Sequence, residues 1–88
     1  MDRFTGKWFL VTGASSGIGR ETSVAISKEG GSVVMIGRDE KRLSETREQM
    51  DRPSDHIAIA YDLCDFDHYR DIFSVIKEKG IVLDGLLH

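Results

Sequence analysis

The sequence predicts an α/β fold with a doubly wound parallel sheet. Short apolar runs alternate with stretches of helical spacing, which gives a strand and a helix three times and then a further strand. A glycine-rich turn follows the first strand and opens into a helix. This alternation implies parallel strands joined by right-handed crossovers. We therefore expect the strand order 3-2-1-4, with the 88 residues stopping inside the fourth strand.

The first strand and helix are predicted from a change of pattern near residue 13. Residues 7–12 form a continuous apolar run that does not alternate, which indicates a strand buried on both faces. Helical spacing follows from Ser16 to about Glu29, and Gly30-Gly31 ends it. The inward stripe expected on this helix is Ile18, Thr22 and Ala25.

The second unit begins with residues 33–36, a run rich in β-branched side chains that predicts a strand. A charged helix is expected at roughly residues 40–50, with Asp39 as its N-cap. The rest of this helix is predicted to be a solvated charged face. Its inward residues are expected to be Leu43, Thr46 and Met50.

The third strand is predicted at residues 56–61, and the clearest amphipathic helix at residues 66–79, ended by Gly80. Asp84-Gly85 predicts a turn, after which Leu86 starts a fourth strand. The apolar stripe of the last helix is expected to be Phe66, Tyr69, Phe73 and Ile76, widened by Ile72 and Val75.

Composition excludes several classes of function. The net charge of −3 argues against nucleic acid as a partner, and no apolar run is long enough to predict a membrane span. The one cysteine, Cys64, fits a reducing compartment, and the first residues do not resemble a secretory signal, so a cytoplasmic protein is expected. The histidines are too scattered to predict a metal site: His56, His68 and His88.

The turn from Thr12 to Gly19, with the sequence Thr-Gly-Ala-Ser-Ser-Gly-Ile-Gly, predicts a phosphate site. The first N–H groups of a helix have no intrahelical partner and carry partial positive charge. Gly13 permits a sharp turn, Gly17 lets a ligand approach, and Gly19 lets the helix lie close to the strand. Two hydroxyls can donate to a phosphate or ribose, those of Ser15 and Ser16. The alternative is a strand–helix turn that binds nothing.

This turn resembles the glycine motif of the classical short-chain dehydrogenase/reductase family. Gly37-Arg38 and Asp62-Leu63 stand where the family has matching residues, at the ends of the second and third strands. Residues 83–88 resemble the approach to the family's Asn-Asn-Ala-Gly motif, with His88 at the first Asn. The resemblance covers nearly the whole chain but only the first part of a typical member. It implies that residues 1–88 are the N-terminal part of a Rossmann-like dinucleotide-binding domain.

The resemblance also implies a nicotinamide cofactor, a small carbonyl or alcohol substrate and a homo-oligomer. Asp62 would accept from the adenine amino group, or it would cap the following helix, and the backbone of Leu63 would flank the ring. The residues implied to bind the cofactor are Gly13, Ser15, Ser16, Gly17, Ile18, Gly19, Arg38, Asp62 and Leu63.

The end of the second strand bears on which cofactor is bound. An NAD site uses a carboxylate there, whereas an NADP site places an arginine nearby. Gly37 offers no carboxylate, and the Arg38 guanidinium suits a phosphate, so NADP(H) is predicted. NAD is the alternative if the side chain of Asp39 points at the ribose rather than capping the helix.

No catalytic residue is assigned. The family uses a Tyr-x-x-x-Lys pair and a serine, but Tyr61 is followed four residues later by Asp65, and Tyr69 by Phe73. We therefore expect that these 88 residues alone do not catalyse hydride transfer. The alternatives are a non-catalytic nucleotide-binding half-fold with a regulatory role, or an interaction module that uses the fold as a scaffold.

Overall fold

The computed structural model describes residues 3–15, 17–60 and 67–87. Within these ranges the strands are β1 (Trp8–Thr12), β2 (Ser32–Gly37), β3 (Ile57–Ala60) and β4 (Leu83–Leu87). The α-helices are α1 (Gly17–Lys28), α2 (Glu40–Gln49) and α3 (Asp67–Glu78), and a short 3-10 turn spans Pro53–Asp55.

The strands form one parallel sheet in the order β3-β2-β1-β4. β1 pairs with β2 on one side and with β4 on the other, and β3 pairs with the free side of β2. Leu10 of β1 lies opposite Val34 on β2 and opposite Leu86 on β4. The predicted strand order is therefore confirmed.

The central strands β1 and β2 have buried side chains on both faces of the sheet, which explains their continuous apolar runs. The face towards α1 and α2 has a cluster of buried side chains: Val11, Ala14, Ile26, Val33, Met35, Leu43 and Met50. The face towards α3 has a second cluster: Leu10, Val34, Ile36, Ile72 and Ile76. Full burial of one such side chain stabilises the fold by about 1.5–3 kcal/mol.

The inward stripe predicted for α1 is wrong. Ile18 is 82% exposed, Ala25 is exposed and Thr22 is half-buried. The residues that α1 buries are Ser23, Ile26 and Ser27. The hydroxyls of Ser23 and Ser27 donate to carbonyl oxygens of α1 itself, at 2.9 and 2.7 Å. These bonds within α1 satisfy the two hydroxyls, so both serines can be buried.

The cap and the inward face predicted for α2 are confirmed. The Asp39 side chain accepts a hydrogen bond from the N–H of Arg42 at 3.2 Å. The expected inward residues Leu43, Thr46 and Met50 are all buried. β3 was predicted at residues 56–61 and spans Ile57–Ala60, while Tyr61 lies outside the described residues.

The stripe predicted for α3 is too wide. Ile72 and Ile76 are buried against the sheet, but Phe73 is 47% exposed and Val75 is exposed as well. α3 covers a single face of the sheet, and a contact of that kind needs only a narrow line of residues spaced four apart. Phe66 and the side chain of Tyr69 lie outside the described part of the chain.

The turn predicted at Asp84-Gly85 is wrong, because β4 begins earlier, at Leu83. The pairing register with β1 shifts between Trp8 and Phe9, which leaves Asp84 as an extra residue. Its carboxylate accepts a hydrogen bond from the Trp8 N–H at 2.9 Å. A β-carbon on Gly85 would stand 2.7 Å from Cδ1 of Phe9, so the adjacent position needs a glycine. Asp84 and Gly85 therefore form an irregularity in the pairing of β4 with β1.

Candidate functional site

The candidate site lies at the carboxyl ends of β1 and β2. β1 has β2 on one side and β4 on the other, so chain connections leave the sheet in opposite directions around it. Such a switch point opens a crevice outside the strand ends, where α/β sheets bind ligands. The turn from Gly13 to Ser15 and the residues Arg38 and Asp39 stand at this edge.

The glycine turn has the backbone that only glycine adopts readily. The φ angles of Gly13 and Gly17 are +65° and +57°. A β-carbon at either position would meet nothing within 4 Å, so the space beside the turn is open. A β-carbon on Gly19 would overlap the carbonyl oxygen of Gly13, so α1 approaches the turn as closely as expected.

The turn is anchored to the second strand. The N–H of Ala14 donates to the carbonyl oxygen of Ile36 at 3.0 Å. The half-buried Ser15 lies against Gly37, where a β-carbon would stand 3.1 Å from Cβ and Oγ of Ser15. Gly37 thus makes room for the turn. Ser16 lies outside the described residues.

The first turn of α1 faces the crevice with positive character. No acidic side chain occurs in this turn, which begins at Gly17. The N–H groups at the start of an α-helix have no partner within it, and the helix dipole adds partial positive charge. This end of α1 is therefore suited to an anion.

The two charged residues that follow β2 differ in their contacts. Arg38 is exposed at the edge of the crevice. Asp39 is engaged with α2, because its side chain accepts from the N–H of Arg42 and lies 3.7 Å from the Nε atom of that residue. Asp39 is thus a helix cap, which is the arrangement that the sequence favoured.

These features fit a dinucleotide. The open space beside Gly13 and Gly17 leaves room for a diphosphate, and the guanidinium of Arg38 can bind a further phosphate by paired hydrogen bonds. Asp62 and Leu63, expected to hold the adenine, lie outside the described residues, as does His88.

Two residues at the site were missed by sequence reasoning. The guanidinium of Arg20 donates to the carbonyl oxygen of Ser15 at 2.8 Å and to Oγ1 of Thr46 at 2.9 Å. The Thr46 hydroxyl lies 2.9 Å from the carbonyl oxygen of Ala14, to which it donates. The sequence features that could have identified them are a hydroxyl on the inward face of α2 and a basic residue directly after Gly19.

Away from the crevice, His56 is 3% exposed. Burial lowers the pKa of its imidazole below the usual 6.5. The described residues contain no group of three or more His, Cys, Asp or Glu side chains that could hold a metal ion. None of the helices that the structure describes has the length and apolar character needed to cross a membrane.

A family model described as short chain dehydrogenase matches residues 7–88. The chain belongs to this family. Both the resemblance seen in the sequence and the predicted fold class, a Rossmann-like parallel sheet in the order 3-2-1-4, are thereby confirmed. Short chain dehydrogenases are oxidoreductases that use nicotinamide dinucleotide cofactors.

Two curated relatives illustrate the match. The chain is 37% identical over 87 residues to a glucose 1-dehydrogenase of Gluconobacter oxydans, a match that covers 97% of this chain and 32% of the relative. It is 38% identical over 85 residues to a 3β-hydroxysteroid dehydrogenase of Mediterraneibacter gnavus, which covers 96% of this chain and 31% of the relative.

Solved structures agree with the fold. A short chain dehydrogenase from Salmonella enterica superimposes with a TM-score of 0.88 at 32% identity, covering 99% of this chain and 37% of that one. The glucose dehydrogenase of Caenorhabditis elegans superimposes with a TM-score of 0.84 at 34% identity, covering 96% of this chain and 37% of that one. The chain spans about a third of the length of these relatives.

Proposed function

We propose that this chain forms the NADP(H)-binding part of a short chain oxidoreductase that interconverts a ketone or aldehyde and an alcohol. The observation that carries the proposal is the difference between Arg38 and Asp39. Arg38 is exposed at the crevice, whereas the carboxylate of Asp39 is held by the first turn of α2. An accessible guanidinium without an opposing carboxylate favours a ribose 2′-phosphate.

The diphosphate is proposed to bind the glycine turn and the start of α1. Gly13 and Gly17 leave space for it, and the hydroxyls of Ser15 and Ser16 are the proposed donors. Ile18, 82% exposed in the first turn of α1, is proposed to contact the cofactor through its apolar side chain. Gly19 acts indirectly, because it lets α1 approach the turn.

The adenine is proposed to lie by Asp62 and Leu63. By resemblance to the family, the Asp62 carboxylate accepts from the adenine amino group and the backbone of Leu63 flanks the ring. The bound cofactor supplies or takes up the hydride. The role of this chain is to bind and orient it.

The reaction is proposed to use residues that these 88 do not include. Neither Tyr61 nor Tyr69 has a lysine four residues later, so the 88 residues alone are proposed to be inactive. Relatives named for glucose and for a 3β-hydroxysteroid support a small-molecule alcohol, or its carbonyl, as the substrate class. Self-association is also proposed, and the presence of a single cysteine supports a cytoplasmic location.

Titration calorimetry with NADPH and NADH tests the cofactor assignment. NADPH is expected to bind more tightly than NADH. Arg38→Asp is expected to weaken NADPH binding by about tenfold to a hundredfold and to spare NADH, because it removes a charge-assisted hydrogen bond and adds repulsion. Lys28→Asp is the matched control, since Lys28 stands in the last turn of α1, away from the crevice. Unchanged NADPH affinity in Arg38→Asp would contradict the assignment.

Asp39→Asn addresses the alternative cofactor. Asn caps a helix about as well as Asp, so the stability of α2 is expected to persist. If Asp39 only caps, NADH binding is unchanged and NADPH binding is unchanged or tighter. A selective loss of NADH binding would instead place this carboxylate on the ribose.

A further inference from the structure

We infer that Arg20 and Thr46 are positioning residues that hold the glycine turn in the shape that accepts a diphosphate. The inference rests on the proposed function, because it concerns the same site. The two side chains act by holding the backbone of the turn and do not contact the ligand.

The two residues hold successive carbonyl groups of the turn. The carbonyl oxygen of Ala14 accepts from the Thr46 hydroxyl at 2.9 Å, and that of Ser15 accepts from Arg20 at 2.8 Å. A trans peptide places its C=O and the following N–H on opposite sides. Fixing the Ala14 oxygen on the α2 side therefore turns the N–H of Ser15 away from α2. A free carbonyl oxygen facing the crevice would repel an anion.

The guanidinium of Arg20 is engaged within the protein through Nε and one of its two terminal nitrogens. Besides Ser15 and Thr46, it donates to the carbonyl oxygen of Arg42 at 3.2 Å and lies 3.6 Å from a carboxylate oxygen of Glu45. Its side chain is only 25% exposed. Arg20 therefore connects three segments, namely the turn, α1 and α2, through the planar fork of donors that only arginine carries.

Thr46 is the buried centre of this arrangement, with none of its surface exposed. Its hydroxyl accepts from Nε of Arg20 and lies 2.9 and 3.0 Å from the carbonyl oxygens of Ala14 and Arg42. Its single proton is directed towards those two acceptors. One hydroxyl thus ties the diphosphate turn to α2, the helix that begins beside Arg38.

The test compares Thr46→Val with Thr46→Ser by calorimetry. Val keeps the shape but removes the hydroxyl, whereas Ser keeps the hydroxyl. We expect Thr46→Val to weaken NADPH and NADH binding by the same factor, about five- to tenfold, and Thr46→Ser to stay within about twofold of the native affinity. Adenosine 2′-phosphate lacks the diphosphate, so its affinity is expected to be the same in all three proteins.

Ser27→Ala is the matched control for loss of a buried bridging hydroxyl. The Ser27 hydroxyl donates to the carbonyl oxygen of Val24 at 2.7 Å and accepts from the N–H of Asp51 at 3.1 Å, at the far end of α1. Its removal is expected to lower the melting temperature without changing dinucleotide affinity.

Arg20→Lys provides a second variant if Thr46→Val does not fold. Lysine keeps the positive charge but cannot form the same set of planar hydrogen bonds. We therefore expect NADPH and NADH binding to weaken as they do in Thr46→Val. Native affinity in Arg20→Lys would show that only charge matters and would overturn the inference. So would native dinucleotide affinity in Thr46→Val, or an equal loss of adenosine 2′-phosphate binding. If the native chain binds neither dinucleotide, the proposed function fails instead.

Discussion

Nδ1 of His56 accepts a hydrogen bond from the backbone N–H of Val33 at 3.1 Å, inside the protein. The other ring nitrogen, Nε2, lies 2.7 Å from the carbonyl oxygen of Asp51, to which it donates. The imidazole is therefore neutral, with its proton on Nε2. It connects the start of β2 to the segment before β3, at the end of the sheet away from the crevice.

Acid is expected to destabilise the fold through His56. Burial lowers its pKa in the folded protein, so the unfolded chain binds a proton first as the pH falls below 6.5. The stability that the neutral ring provides is complete above that pH and declines as the pH falls towards the lowered pKa. Denaturant unfolding at about pH 7.5 and about pH 5.5 measures this decline. His56→Asn, which keeps an acceptor but does not titrate, should show a smaller decline, and equal declines would contradict the assignment.

Gly19 and Gly13 are expected to tolerate alanine to different degrees. Gly19→Ala places a methyl group against the carbonyl oxygen of Gly13, so it should cost about 1–3 kcal/mol or more and abolish dinucleotide binding. Gly13→Ala has open space and suffers only the strain of a φ of +65°, about 1–2 kcal/mol. Denaturant unfolding of both variants measures the difference. A cost for Gly13→Ala equal to or above that for Gly19→Ala would be the contrary result.

The chain is expected to associate through β4 and α3. β4 is at the edge of the sheet, where unpaired backbone groups and apolar side chains favour pairing. Among the described side chains, the exposed apolar residues of this region are Phe73, Val75, Val82, Leu86 and Leu87. Sedimentation velocity should show association that rises with concentration and weakens in Leu86→Lys. Ile18→Lys is the control, because Ile18 is also apolar and exposed but lies on α1. A native chain that stays monomeric at every concentration would refute the prediction.

The sheet could be predicted from the sequence because its central strands are buried on both faces. The four residues from Val33 to Ile36 are fully buried, so they appear as one apolar run. The inward face of α1 could not be predicted in the same way. Ser23 and Ser27 are buried there, and their hydroxyls donate to carbonyl oxygens of α1 itself. A pattern based on apolar residues alone does not include such serines.

Contacts between distant segments account for the other differences. Asp84-Gly85 has the composition of a turn, but its use in β4 depends on Trp8 and Phe9, more than seventy residues earlier. The bond between Arg20 and Thr46 likewise joins residues 26 apart, so no local pattern announces it. The glycine turn and the cap at Asp39, by contrast, are local and were predicted.

The tight packing around Gly37 restricts how this chain could be re-engineered. A β-carbon there would stand 3.1 Å from Ser15 and 3.2 Å from Leu43, which is closer than a side chain normally comes. The usual way to recruit the unphosphorylated coenzyme, an acidic residue as the last residue of the second strand, is thus blocked unless both neighbours move. A change of the proposed coenzyme preference would have to begin one position later.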